Sequence, residues 1–347
     1  MAVYTVIDRG ALNDLIEDYG LAKLLGFSGI PFGSVNSNYL LETPRGKHLL
    51  RIDEVKGELD VKRELDLLIF LRKHNFPCPQ PVADRKGRWY REVGGKCYSV
   101  YRWADGNVAT VQRLTPTRLE IVGRHLADLH TIGKSYKKGI DNRFSYERIS
   151  DLYAEVRDRL PTYFRKIVRT LDDEVDYLQH YLENKLPKGV IHGDLFPDNL
   201  LFKGDKLIAM IDFEAACRGK FVFDLATAVN ALCFDGETYD LRRFEALIMG
   251  YESLRPLSLA EWDAFPNELR LSALRFTVTR LRDFFLQPID GNGQQRLDKD
   301  FREFYERLRV LRREREGGME GLLMAMATGY DYRKYQRVKA LEKKGSK

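Results

Sequence analysis

The 347-residue sequence predicts an α+β fold with two lobes: a small N-terminal lobe with an antiparallel sheet and one main helix, and a larger, mostly helical C-terminal lobe. Three observations lead there. The first hundred residues run strand, strand, helix, strand, strand. A strand, a loop and a hairpin occupy 190–211. From about residue 223 onward the apolar spacing is almost wholly helical.

In chain order, residues 8–25 read as a leading helix with Leu12, Leu15, Ile16 and Tyr19 on one face. The stretch 29–38 is turn-rich. Strands are expected at Tyr39–Glu42 and 48–52, joined by the turn TPRG. A helix follows over 58–73, where Val61, Leu65 and Leu68 recur at helical spacing, and the prolines of PCPQP (77–81) stop it. Two strand candidates, Arg88–Arg91 and Cys97–Trp103, precede the breaker Asp105-Gly106. The lobe boundary is placed there, giving 1–104 and 105–347. Helices are expected at 117–132 and within 146–184, then a strand at Val190–His192 and a hairpin of strands at 200–203 and 207–211.

Composition sets outer limits. Apolar residues are 44% and charged residues 31%, an ordinary globular balance. No apolar run approaches the ~20 residues that span a bilayer. The start has no basic-then-apolar leader pattern, so a cytoplasmic protein is expected. Cys78, Cys97, Cys217 and Cys233 are scattered without zinc spacing and read as reduced thiols. A net charge of +6 suits an anionic substrate such as a nucleotide and does not by itself argue for nucleic acid.

The chemistry concentrates in VIHGDLFPDNLLF (190–202) and IDFE (211–214). Phosphoryl transfer from ATP requires magnesium on hard oxygen ligands and a carboxylate where the acceptor hydroxyl arrives. Four residues separate Asp194 from Asn199, the spacing of a kinase catalytic loop, and Asp212 follows across a hairpin. Asp194 is therefore cast as base and positioner, and Asn199 and Asp212 as magnesium ligands. His192 is expected to shape the loop rather than react. The competing reading is a structural Asx-rich turn between two strands.

These motifs resemble the aminoglycoside phosphotransferase and choline kinase superfamily, a branch of the protein-kinase-like fold. The resemblance implies that Asp224, in Phe223-Asp224-Leu225-Ala226, braces the loop. In the N-terminal lobe Arg51 stands at the cation position of the third strand, with Glu64 as its helix partner. The turn carrying Ser34, Asn36 and Ser37 would cover the phosphates, and Tyr101 to Trp103 would lie beside the adenine.

Within that superfamily the chain is similar to the bacterial homoserine kinases of the aminoglycoside-phosphotransferase type. The segments NALCF, GYESLRPLS and ALRFTVTRLRD carry this likeness, which covers roughly 20–310. It implies an ATP-dependent kinase of homoserine. A zwitterionic acceptor needs a cation for its carboxylate and acids for its ammonium. Arg275 or Arg280 is the candidate for the first, and Asp283 or Asp235 for the second, with Glu214 and Asp198 as further acids; helix ion pairs are the alternative. The chain departs from that group in continuing past the helical region: Arg307–Arg315 is strongly basic and reads as a solvated face, and the Met-rich tail reads as a docking helix, on its own lobe or in a homodimer. Other acceptors (choline, ethanolamine, a sugar, an aminoglycoside) stay open, as does a non-catalytic nucleotide-binding regulator. No membrane or nucleic-acid partner is expected.

Overall fold

A computed structural model describes residues 5–30, 36–183, 185–286 and 299–317. The chain runs through α1 (Arg9–Asp18), β1 (Gly26–Gly29), β2 (Ser37–Thr43), β3 (Gly46–Asp53), α2 (Glu58–Lys73), β4 (Gln80–Pro81), β5 (Arg91–Val93), β6 (Lys96–Arg102) and β7 (Asn107–Val108). It continues with α3 (Pro116–Gly133), α4 (Tyr146–Arg157), α5 (Arg165–Tyr181), β8 (Lys188–Ile191), β9 (Leu200–Lys203), β10 (Lys206–Met210) and β11 (Cys217–Lys220). The last elements are α6 (Phe221–Leu232), α7 (Leu241–Glu252), α8 (Leu259–Arg280), which passes into a π turn at Leu281–Phe285, and α9 (Arg302–Gly317). This is the expected α+β class.

Two compact units emerge. The first is Met1–Val108 with Leu200–Glu214, and the second is Ala109–Asn199 with Ala215–Lys347. In the first, an antiparallel sheet has the order β1-β2-β3-β6-β4, with β5 also on β6, and β10-β9-β7 forms a small second sheet. Alternation along β2 and β3 puts Tyr39, Leu41, Leu50 and Ile52 into a core shared with Leu12, Ile16 and Val100. Helix α2 has the predicted bounds. Glu58 and Asp60 occupy its first turn and Arg72 and Lys73 its last, each opposing the local end of the helix dipole.

Three local expectations shift, for visible reasons. Helix α1 stops at Asp18 instead of near 25, because Gly20 and Ala22 adopt left-handed backbone (φ 65° and 66°). The stretch 26–29, given no element from the sequence apart from the turn expected to begin at Gly29, pairs Gly26 to Gly29 against Glu42 to Tyr39. The strand expected at 88–91 begins only at Arg91, since Asp84 Oδ1 accepts the Lys86 and Arg88 N–H groups (2.9 and 2.8 Å) and closes a turn.

Among its described residues the second unit is mostly helical, with one antiparallel strand pair, β8 and β11, and a single bridge between Phe234 and Tyr239. Helices α3 and α7 cross at glycines on both sides. A Cβ on Gly123 would lie 2.1 Å from the Leu247 carbonyl oxygen, and one on Gly250 would lie 2.0 Å from that of Glu120. Elsewhere in the unit a fully buried ion pair joins α5 to α8. Arg270 Nε and Nη2 reach the two oxygens of Glu174 at 2.7 and 2.5 Å, and Arg312 on α9 adds a third bond at 3.1 Å.

The basic run on α9 is not simply a solvated face. Arg307 donates to the Asn230 carbonyl (2.7 Å) and stacks on Phe234 and Phe304. Burial pushes its guanidinium down to about 10. Two of the run's arginines, Arg307 and Arg312, are spent inward. Residues 318–347, and with them the expected docking helix and homodimer contact, lie outside the described residues. All four cysteines are buried and unbridged. Among the described residues no helix is long and apolar enough to cross a membrane.

Candidate active site

Strand β8 is buried from Gly189 onward, and it delivers His192-Gly193-Asp194 at its end. Gly193 has φ 75°, and a Cβ there would lie 2.8 Å from the Ala215 carbonyl oxygen, so the turn needs glycine. The loop closes on itself. The Asp194 carbonyl accepts the Phe196 N–H (3.0 Å) and the Asn199 side-chain amide (2.7 Å). The spacing between Asp194 and Asn199 is thus a loop closure. With its NH2 committed, Asn199 keeps its amide oxygen without a hydrogen bond among the described residues.

Asp224, in the first turn of α6, holds this loop by its backbone. Its Oδ2 accepts the His192 N–H (2.8 Å) and its Oδ1 the Gly193 N–H (2.7 Å). His130 of α3 contacts the same Oδ2 at 3.0 Å, and its Nδ1 lies 2.7 Å from the Tyr251 hydroxyl on α7. Arg255 Nη1 donates to that hydroxyl (2.9 Å), and its Nη2 reaches Glu261 (2.7 Å), the capping-box residue of α8. With burial favouring neutral His130 and its Nε2 hydrogen given to the Asp224 carboxylate, His130 Nδ1 accepts from the Tyr251 hydroxyl, whose oxygen accepts from Arg255. Burial would raise the Asp224 carboxyl, but the hydrogen bond from His130 leads a set of opposing contacts, and its pKa lies below the ordinary value. Burial lowers His130 below its usual 6.5 against the pull of Asp224.

Asp194 itself is partly exposed at the side chain. Arg275 of α8, 3% exposed, has Nη2 3.9 Å from Asp194 Oδ1 and donates to the Gly193 carbonyl. Its guanidinium lies 3.5 Å from the Phe144 ring centroid. Burial draws it down to about 10, with Asp194 opposing. Of the acceptor candidates, Arg275 is therefore beside Asp194. Arg280, Asp283 and Asp235 are engaged locally. Arg280 binds the Asp300 carbonyl (2.8 Å) and Glu303 (2.7 Å), Asp283 pairs with Arg282, and Asp235 caps its own turn through the Glu237 and Thr238 N–H groups. Asp198 is exposed.

The other candidates belong to the first unit. Arg51 Nη1 reaches Glu64 Oε1 at 3.0 Å, the expected strand–helix pair, and Asp53 is 3.3 Å from Nη2. Lys56, not singled out from the sequence, takes the other Glu64 oxygen at 2.6 Å. Burial alone would lower the Arg51 pKa; Glu64 and Asp53 raise it well above the ordinary value. The same cations, Arg51 first, hold Glu64 below the carboxylate range despite burial. Glu214 accepts from Arg51, from Asn36 (2.6 Å) and, as an ion pair, from Lys56 (3.2 Å). Ser37 is turned inward to Glu54 and accepts the Thr5 N–H (3.0 Å). Tyr101 is buried in β6, and Trp103, just beyond it, is 37% exposed. Ser34 lies outside the described residues. Asp212 is exposed with φ 64°, an uncommon backbone state for a residue other than glycine, and Phe213 beside it packs edge-on against Phe76.

Asp212, exposed in the first unit, and Asn199, buried in the second, each carry a hard oxygen of the kind magnesium takes. Among the described residues no group of three or more His, Cys, Asp or Glu side chains stands ready for a metal.

Residues 26–257 match the model of the phosphotransferase enzyme family, and the chain belongs to that family. It is similar to homoserine kinases. That of Parvibaculum lavamentivorans is 34% identical over 314 residues, 90% of this chain and 96% of that one. That of Methylobacterium radiotolerans is 35% identical over 318 residues, 91% and 98%. Among solved structures, an amicoumacin kinase in complex with AMP-PNP and Ca2+ superposes with a TM-score of 0.65 at 16% identity, covering 88% of this chain and 93% of that one, and shares the fold.

His130, Tyr251, Arg255 and Lys56 were not apparent as site residues in the sequence. A histidine on the apolar stripe of α3, one turn after Leu126, was the available signal for the first.

Proposed function

We propose that the protein transfers the terminal phosphoryl group of ATP to the hydroxyl of L-homoserine, giving O-phospho-L-homoserine, an intermediate on the route to threonine. The observation that carries the chemistry is the loop His192-Gly193-Asp194, clamped through its backbone by Asp224 and closed by Asn199. The likeness to homoserine kinases over nine-tenths of the chain supports the acceptor.

Asp194 orients the acceptor hydroxyl and takes its proton late, as the oxygen–phosphorus bond forms. An ordinary carboxylate is too weak a base to ionise a ground-state alcohol, so orientation is the larger part of its role. Arg51, held by Glu64, contacts the nucleotide phosphates, Asn36 lies with it, and Trp103 flanks the adenine. Asn199 and Asp212 would hold magnesium, which when bound neutralises charge on the transferring phosphoryl group. Arg275 keeps a positive charge beside Asp194, suited to the amino-acid carboxylate. The reaction belongs to the cytoplasm, where ATP is supplied.

The test is ADP release with magnesium-ATP across homoserine, serine, threonine, choline, ethanolamine and an aminoglycoside. Turnover with homoserine at a KM of about 1 mM or below, and little with the others, is expected. Turnover confined to another acceptor overturns the substrate, and none with any overturns the kinase.

A further inference from the structure

Resting on the nucleotide-binding reading above, we propose that Lys56, Arg51 and Asn36 form one seat for a nucleotide phosphate oxygen, and that Glu214 occupies this seat until the nucleotide displaces it.

The argument begins with a single atom. Glu214 Oε1 is contacted by Arg51 Nη2, by Asn36 Nδ2 at 2.6 Å and by Lys56 Nζ at 3.2 Å. A carboxylate oxygen has two lone pairs. Three convergent donors, two of them cationic, exceed what it can align, and they match what a terminal phosphate oxygen attracts. Lys56 lies between β3 and α2, just before the Gly57 that opens the helix, and is not part of the strand that carries Arg51.

The seat is prepared independently of Glu214. Glu64 gives one oxygen to Arg51 (3.0 Å) and the other to Lys56 (2.6 Å), which fixes both cations from behind. The three carboxylates around these cations differ in access. The side chains of Asp53 and Glu64 are 3% and 8% exposed, whereas that of Glu214 is 22% exposed. Glu214 is the one with solvent to move into. Glu214 also follows Asp212 by two residues on a short turn, so its release falls in the segment that carries a candidate metal ligand. An internal anion of this kind lowers nucleotide affinity, because an incoming phosphate must first break its contacts. It also helps to neutralise two half-buried cations in the protein without nucleotide.

The test is titration calorimetry of the whole protein with ADP and with inorganic tripolyphosphate, in EDTA, so that metal ligation does not enter. Thermal melts check folding. Glu214→Gln, which keeps the shape and removes the charge, is expected to bind tripolyphosphate about tenfold more tightly, and Lys56→Met about tenfold more weakly. Should Glu214→Gln fold poorly, Glu214→Asp draws the carboxylate back by one methylene and is expected to tighten binding in the same direction. Unchanged or weaker binding by the Glu214 variants, or unchanged binding by Lys56→Met, overturns the proposal. A wild-type protein that binds ADP alongside unshifted variants removes this inference alone; a wild-type protein that binds neither probe removes the nucleotide reading with it.

Discussion

Asp224 receives the backbone N–H of Gly193 on one carboxylate oxygen and that of His192 on the other. The residue therefore sets the path of the chain into Asp194 without touching its side chain. Asp224→Asn presents an NH2 to one of these N–H groups and must tilt the loop. A displacement of ~1 Å at a reacting group can cost about 100-fold in rate. We expect kcat to fall by about that factor while ATP affinity, measured by titration, stays within about twofold. Full turnover in Asp224→Asn would mean that the clamp does not govern the reacting geometry.

Asp194 and Asp212 should separate kinetically. Asp194→Asn is expected to lower kcat by about 100-fold or more with nucleotide affinity retained. Asp212→Asn should instead raise the magnesium concentration needed for half-maximal rate, with metal-free ADP affinity little altered. Steady-state kinetics across a magnesium series checks both.

The buried His130 makes stability depend on pH. Its folded pKa lies below the unfolded 6.5, so the unfolded state binds more protons, and the contribution is full above about 6.5 and lost as pH falls. Asp224, also depressed, acts in the same direction but lower, with loss beginning near the ordinary carboxylate value. Thermal melts should therefore fall from pH 7.5 to 5.5, and His130→Gln, which cannot titrate, should show a flatter slope over that window. Parallel slopes would remove His130 as the cause.

Gly250→Ala drives a methyl into the Glu120 carbonyl. Helices α3 and α7 would have to separate, at a cost on the order of 3 kcal/mol. Denaturant unfolding should show the loss, whereas alanine at Gly139, where a Cβ meets nothing within 4 Å, should be nearly neutral.

Much of this was legible in the chain. Helix α2 could be bounded because Gly57 and the prolines after Asn75 punctuate it, and the loop of Asp194 and Asn199 because its spacing is short-range. Strand β1, in contrast, is Gly-Phe-Ser-Gly, which has almost no strand signature and forms only because β2 offers it an edge. Arg275 and Arg280 were both read as candidates for the acceptor carboxylate, with helix ion pairs as the alternative, because helical spacing alone does not say which side of α8 is buried. The helix is buried on most sides, so its arginines find partners inside the protein: Glu174 for Arg270 and the Gly193 carbonyl for Arg275. Lys56 lies outside any regular element, and only the tertiary fold brings it to Glu64 and Glu214.

The crossing of α3 and α7 has a further consequence. His130 rides on one helix and Tyr251 on the other, so the distance between their polar atoms is inherited from how closely the two backbones approach. In a saturation mutagenesis screen read out by growth, Gly123 and Gly250 should then be as intolerant of change as the acids of the catalytic loop, although neither has a side chain to offer a substrate.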